Sequence, residues 1–295
     1  MTTMTFVPHV ICKALHELRK EMNGVEWQAL TRKQQFFLET FFARFGIEAE
    51  QFSEEELKAW ISESADYLNK ILNSEGFDIH LDELQSGEIG VVAILDIMSK
   101  WLKKGQRLDI TSDGKKYPGV KIKSETVRYR RTVTVYSNPI TPHPIVALPM
   151  KNGDHVFMTK AFHIGELPHG FTLFAMIRDA FTKMKHTANV DYVHFPMIDI
   201  DEQPDISWLI GMPHTGGGQI TQALQQTKFK MNEVGAHLKS AVAIATYRSL
   251  APKPERGIII DEPFYLWIMR GGVGSPILCA YCDRDTWKDP GKLEM

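Results

Sequence analysis

The chain has few cysteines, no long apolar run and almost no net charge, and each shortage removes a class of function. Three cysteines in 295 residues are too few, and odd in number, for a disulfide framework. That scarcity points to a reducing, cytoplasmic setting. No stretch of about 18 consecutive apolar residues occurs, so no membrane span is expected. The N-terminus lacks a basic segment followed by an apolar run and a cleavage site, so no secretory signal is read; a mature secreted form would look the same. A net charge of −2 gives no global basic field for nucleic acid or an anionic membrane. Neither an internal repeat nor a low-complexity segment is present. Catalytic signatures are missing too. The 11 histidines hold no His-Glu-x-x-His, there is no Gly-x-Ser-x-Gly elbow, and no Ser/His/Asp grouping is legible.

The fragments that remain are weak. Thr215-Gly216-Gly217-Gly218-Gln219 has the backbone of a phosphate cradle but lacks the Lys-Ser/Thr of a P-loop, so a flexible loop is expected. Cys279-Ala280-Tyr281-Cys282 is a single Cys-x-x-Cys on or just after a predicted strand, not at the helix start that would activate a thiol. A buried structural pair is the reading; zinc would need two more ligands, and Cys12 is far away in sequence. His143, His163 and His169 read as loop histidines, and Lys121, Lys123, Arg128, Arg130 and Arg131 as a solvated strand face. No catalytic residue, metal or cofactor is assigned, and the chain is not read as an enzyme.

What is present is an ordinary globular composition, 43% hydrophobic and 24% charged, in a chain long enough to bury a large core. The first third reads helical. Val7, Val10, Ile11, Ala14, Leu15, Leu18 and Met22 make one apolar stripe. Thr31 caps a second helix carrying Phe36, Phe37, Phe41 and Phe42. Ser53-Glu54-Glu55-Glu56 forms a capping-box pattern that opens a third helix, with Leu57, Trp60, Ile61, Leu68, Ile71 and Leu72 inward. From Ile89 the pattern changes to strands. Residues 91–97 suit a strand buried on both faces, and 121–136 a long β-branched strand. Residues 145–150 and 156–161 suit an antiparallel pair turned at Asn152-Gly153-Asp154. A helix over 171–185 follows. The last strands, 264–270 and 276–281, join at Gly271-Gly272-Val273-Gly274 and should be buried neighbours. This gives one α+β domain over 1–295, mainly helical over 1–84 and sheet-rich over 85–295.

The C-terminal fifth carries the most information. An alternating strand, 228–231, runs into Asn232-Glu233-Val234-Gly235, then into a small-residue stretch, 236–246, then Tyr247-Arg248-Ser249-Leu250, a proline-punctuated exit and two apolar strands. This order resembles the reactive-loop region and C-terminal strand pair of serpins. Residues 193–200 resemble that family's Pro-Lys-Phe strand, 205–212 the short helix ending in Leu-Gly-Met, and 147–154 its Leu-Pro-Tyr-x-Gly-Asp turn. Lys100-Trp101 resembles the pair that closes an apolar strand. The resemblance covers about two thirds of the chain. It implies a serpin-like α+β fold, with N-terminal helices packed on mixed and antiparallel sheets and an exposed reactive-type loop. The chain is shorter than a full-length serpin, and the missing length is expected in the N-terminal helical part.

The resemblance also implies a mechanism: a protease cuts the loop, and the freed segment enters a sheet as a new strand. Strand period two puts Ala236, Leu238, Ser240, Val242, Ile244 and Thr246 on one uncharged face, with His237 and Lys239 on the other, so parity selects one insertion register. Glu233 and Gly235 belong to the hinge. Arg248-Ser249 is the candidate cleaved bond for a trypsin-like serine protease; Tyr247 and Leu250 would suit enzymes with apolar pockets, and hinge-to-bond spacing also allows a cut after Ser249. Bulky His237, Leu238 and Lys239 follow the hinge where inhibitory members carry small residues. Two readings therefore stand: a monomeric serine-protease inhibitor, or a non-inhibitory serpin-fold protein that binds a partner without loop insertion.

Overall fold

Strand β1 (Met4–Phe6) leads into helix α1 (Pro8–Glu21), where Pro8 supplies the preset φ of a first helical turn. Its buried stripe is Ile11, Cys12 and Leu15. The chain of this computed structural model, described over residues 4–162, 166–187, 189–236 and 256–293, then forms one bent helical run. It consists of α2 (Arg32–Phe37), a π-helical turn (Leu38–Phe42) and α3 (Ala43–Glu48). Thr31 caps it through a reciprocal box with Gln34, as the sequence predicts.

The next segment departs from the periodicity reading. Ser53 and Glu56 do exchange capping bonds, but they close a turn rather than open a helix. Leu57, Trp60 and Ile61 sit in strand β2 (Leu57–Ser62), and the helix starts only at α4 (Ala65–Ser74), capped by Ser64. The reason is a partner far along the chain. β2 pairs antiparallel with β3 (Gly90–Leu95) from Leu57↔Leu95 to Ser62↔Gly90, and such pairing outweighs local helix preference. β3 itself buries alternate residues, not both faces; Val92 and Ile94 pack with Leu68 and Leu72 of α4 in a small separate core.

β4 (Ser99–Lys100), β5 (Gln106–Ser112) and β6 (Lys115–Lys123) follow. The long strand expected over 121–136 is broken after Lys123 by a small hairpin, β7 (Thr126–Val127) and β8 (Arg130–Arg131), before β9 (Thr134–Ser137). Arg128 and Tyr129 make its turn with φ of 47° and 68°, the left-handed pair that a two-residue hairpin demands. β10 (Ile145–Pro149) and β11 (His155–Lys160) form the expected pair around Asn152–Asp154, and α5 (Gly170–Thr182) the expected helix. Then come β12 (Lys185–His186), β13 (Tyr192–Pro196), β14 (Ile198–Glu202), β15 (Thr227–Met231), β16 (Gly235–Ala236), β17 (Gly257–Ile259), β18 (Phe264–Met269) and β19 (Leu278–Cys282).

These strands build three larger sheets. The first has seven strands, ordered β1-β19-β18-β11-β10-β9-β12, with β18 and β19 buried antiparallel neighbours at its heart. The second is β17-β13-β6-β5, in which β17 runs parallel to β13. The third is β14-β15-β16-β4. A single core joins them all, from Leu15 and Phe45 through Leu148 and Phe195 to Trp267. Cys279 and Cys282 are both fully buried and free. Three residues apart on β19, they project to opposite faces of the sheet rather than forming a structural pair. Burial pushes both thiols well up from their ordinary pKa.

Candidate functional site

The site is built where the third sheet splits. β15 alternates Thr227, Phe229 and Met231 inward with Lys228 and Lys230 outward, and pairs along its whole length with β14. Among the described residues, its other edge meets β16 alone. There Ala236 lies opposite Met231 on one side and Ser99 on the other, and Gly235 opposite Lys100. β16 is thus the beginning of an antiparallel strand held between β15 and β4.

Residues 232–235 are fastened into this seat by a dense set of bonds. Trp101, 2% exposed, donates its indole N–H to the carbonyl of Asn232 at 2.9 Å and its backbone N–H to Val234 at 3.1 Å. Gly105 N–H reaches the Glu233 carbonyl at 2.7 Å. Asn232 turns the chain by accepting Val234 N–H on its side-chain oxygen. The Glu233 carboxylate is buried and ion-paired with Arg107 at 3.0 Å; that bond holds the guanidinium further toward its charged form. Gly235 has no alternative residue. A Cβ there would lie 2.3 Å from the Ser99 carbonyl oxygen and 2.7 Å from Lys100 Cα, both backbone atoms that cannot step aside. Segment 99–101 is itself anchored to the first sheet, through Lys151 N–H to Lys100 O and a bridge from Trp101 to Met150.

Below the seat, β3 and residues 220–229 diverge and leave a slot with apolar walls. Its floor is α1, which packs against β3. Its outer mouth is crossed by residues 77–82, a strap laid over the gap. The strap is laced to the 222–228 side by side chains: Asp78 N–H to Gln226 at 2.7 Å, Asp82 N–H to Gln222 at 2.8 Å, and Asp78 to Lys228 at 3.0 Å. On the other side Asn69 of α4 holds both the N–H and the carbonyl of Leu81.

Of the residues that the sequence marks for function, the structure brings Glu233, Gly235 and Ala236 together in the seat. Leu238, Ser240, Val242, Tyr247, Arg248, Ser249 and Leu250 lie outside the described residues, as does His163. Trp101 and its neighbour Lys100 are signalled in the sequence as a strand-closing pair. Arg107, Gln222, Gln226 and Thr227 are missed, because a lone polar residue carries no periodic signal. The glycine run 216–218 lies in an exposed turn, as the loop reading has it. It closes on the His214 imidazole, whose Nδ1 accepts from Gly216 N–H at 3.1 Å, and a Cβ on Gly218 would lie 2.5 Å from Nε2. Among the described residues, no group of three or more His, Cys, Asp and Glu side chains is placed to hold a metal, and no helix is long and apolar enough to cross a membrane.

No protein-family model and no curated protein sequence matches the chain. Solved structures do. Serpin48 of the insect Tenebrio molitor, described as a highly specific serpin, superposes with a TM-score of 0.57 at 14% identity, over 95% of this chain and 91% of its own. The mouse protein Z-dependent protease inhibitor gives 0.58 at 14% identity, over 95% and 90%. Human thyroxine-binding globulin, solved with its hormone, gives 0.54 at 12%, over 95% and 91%. Identities this low speak to architecture and not to activity, and a protease inhibitor and a thyroxine-binding globulin share one architecture. With its helices on mixed and antiparallel sheets, this chain has the α+β fold of the serpins.

Proposed function

We propose that the protein is a serine-protease inhibitor whose bait is the segment after Ala236, cut at Arg248-Ser249 by a trypsin-like enzyme and then drawn into the slot as a strand. The supporting observation is the seat: β16 already pairs on both edges, antiparallel to β15 and β4. Continuing its register puts Leu238 opposite Phe229 and Ile97, Ser240 opposite Thr227 and Leu95, and Val242 opposite Gln225 and Ala93. Ala236 shares the inward face of Met231, so Leu238, Ser240 and Val242 enter on the apolar side. His237 and Lys239 take the outward side, with Lys239 between Lys228 and Asp96. Each new ladder bond adds about 1 kcal/mol, and residues 237–246 gain them along both edges. Such an inhibitor acts as a monomer and by conformational change, not by catalysis. Its three buried free thiols fit a reducing compartment.

A second reading has its own support. His237, Leu238 and Lys239 are bulky, and the strap must yield before they pass. If they stall, the protein binds a partner without insertion, a role in keeping with the similarity in fold to thyroxine-binding globulin. One experiment separates the two. Trypsin cleavage at Arg248-Ser249, verified by mass, is expected to raise the melting temperature sharply, because a paired strand replaces a free segment. Leu238→Asp is expected to abolish that rise by placing a charge on the buried face, while Lys239→Ser leaves it intact. Equal melting of cut and uncut protein would establish the partner-binding reading instead.

A further inference from the structure

Below the seat, the slot encloses a cavity of about 240 Å³, walled by residues such as Val10, Ala14, Ile97 and Phe229. Two side chains interrupt its apolar lining. Thr227 and Gln225 both border it and are only 8% and 7% exposed. Thr227 Oγ1 and Gln225 Oε1 have no hydrogen-bond partner. The Gln225 amide nitrogen is already committed to the Val7 carbonyl at 3.2 Å, which leaves its oxygen a bare acceptor. The Thr227 hydroxyl can donate and accept. Native proteins seldom leave such atoms unpaired at this depth, and two on one wall call for a shared partner. No charge awaits a ligand there. Lys228, which also borders the cavity, places its ammonium 3.0 Å from both Asp78 and Asp201.

We infer that this cavity binds a neutral, elongated apolar molecule with one hydroxyl group, an aliphatic alcohol. Its O–H donates to Gln225 Oε1, its oxygen accepts from Thr227 Oγ1, and its hydrocarbon tail lies between α1 and β3. A carboxylate head is disfavoured, since it would meet the Gln225 lone pairs with no cation near. The same place receives Leu238, Ser240 and Val242 when the loop inserts, with the Ser240 hydroxyl at Thr227. The alcohol therefore imitates the loop and competes with it. That regulatory half rests on the proposed inhibitor function; the binding half does not.

The test titrates the purified full chain with decanol and with decanoate at pH 8, by calorimetry and thermal shift. Decanol is expected to bind saturably at one site and to raise the melting temperature, with decanoate at least about tenfold weaker. Thr227→Val should weaken decanol about tenfold, the loss of one hydrogen bond. Ala14→Phe and Ala223→Phe, which fill the cavity from two walls, should abolish binding while circular dichroism verifies the fold of each. No saturable binding, equal binding of decanol and decanoate, or indifference to all three substitutions overturns the site. A final arm cuts the loop with decanol present. Suppressed stabilisation supports competition. Stabilisation of the cut protein, with no decanol binding to the intact one, refutes the ligand and leaves the inhibitor reading standing. Saturable decanol binding with no stabilisation on cutting keeps the ligand site and removes the inhibitor reading.

Discussion

Glu202 closes β14 opposite Thr227, and its neighbours set its chemistry. Burial raises its carboxyl to about 7; a hydrogen bond from Thr5 opposes the rise, and the charge of Asp285 adds to it. The folded state therefore holds this proton more tightly than the unfolded chain does. Glu202 weighs nothing against the fold below its usual range near 4.5, and destabilises it as pH climbs through about 7. Glu202→Gln is expected to raise the melting temperature at pH 8 and leave it unchanged at pH 4, measured by calorimetry at both. Little of this was legible in the sequence. Ile198, Ile200 and the alternating acids mark a strand, but that Thr5, nearly two hundred positions away, would stand at its end follows only from β1 joining the sheet edge. Gly235 is the counter-case. The sequence singles out this glycine, after Glu-Val and ahead of a small-residue stretch, and the close backbone approach of Ser99 and Lys100 is why no side chain fits there.

Among elements, the strap over residues 77–82 is expected to decide how fast the slot fills if the loop inserts as proposed. The N–H groups of Asp78 and Asp82 are tied not to a main-chain ladder but to the side-chain oxygens of Gln226 and Gln222, bonds that open one at a time. Replacing both glutamines with alanine is expected to speed the gain in stability that follows loop cleavage, several-fold in rate at unchanged final melting temperature, followed by stopped-time thermal scans. An unchanged rate would mean the strap does not gate entry. Periodicity misread the element whose local spacing conflicts with its strand partner. β2 carries helical spacing in Leu57, Trp60 and Ile61, yet β3 captures it as a strand. α1, β10, β11, α5, β15, β18 and β19 were legible because their patterns agree with their surroundings.

At the scale of the whole molecule, Arg270 links parts that share no strand. From the end of β18 it donates to both oxygens of Asp154 at 2.8 Å, to both of Glu56 at 2.7 and 2.8 Å, and to the Gln51 carbonyl at 2.9 Å. Its cation also lies over the Phe52 ring. Burial works against its charge, but the two carboxylates outweigh it and hold the guanidinium firmly protonated. Arg270→Met would leave Asp154, 1% exposed, as an unpaired charge between the seven-stranded sheet and the helical run. A loss of about 3 kcal/mol or more is expected, read as a lower urea midpoint. Glu56, held below its ordinary pKa by Arg270 against the opposing pull of burial, favours the fold above pH about 4.5 and loses that contribution as pH falls further. The difference between wild type and variant should therefore narrow in acid.

The two-residue strand β16 has a kinetic meaning as well as a geometric one. Bringing a free chain end to a sheet costs closure entropy before any contact rewards it. Here that search is over in the uncut fold, because Gly235 and Ala236 are already registered against Lys100 and Ser99. If the loop inserts as proposed, what is left after cleavage is propagation from a formed nucleus, residue by residue, in a register that cannot slip without expelling Ala236 from its place beside Met231. On the proposed inhibitor reading, the race between the inserting strand and the departing protease begins with the closure search already made, and its outcome turns on how quickly the strap yields to His237, Leu238 and Lys239.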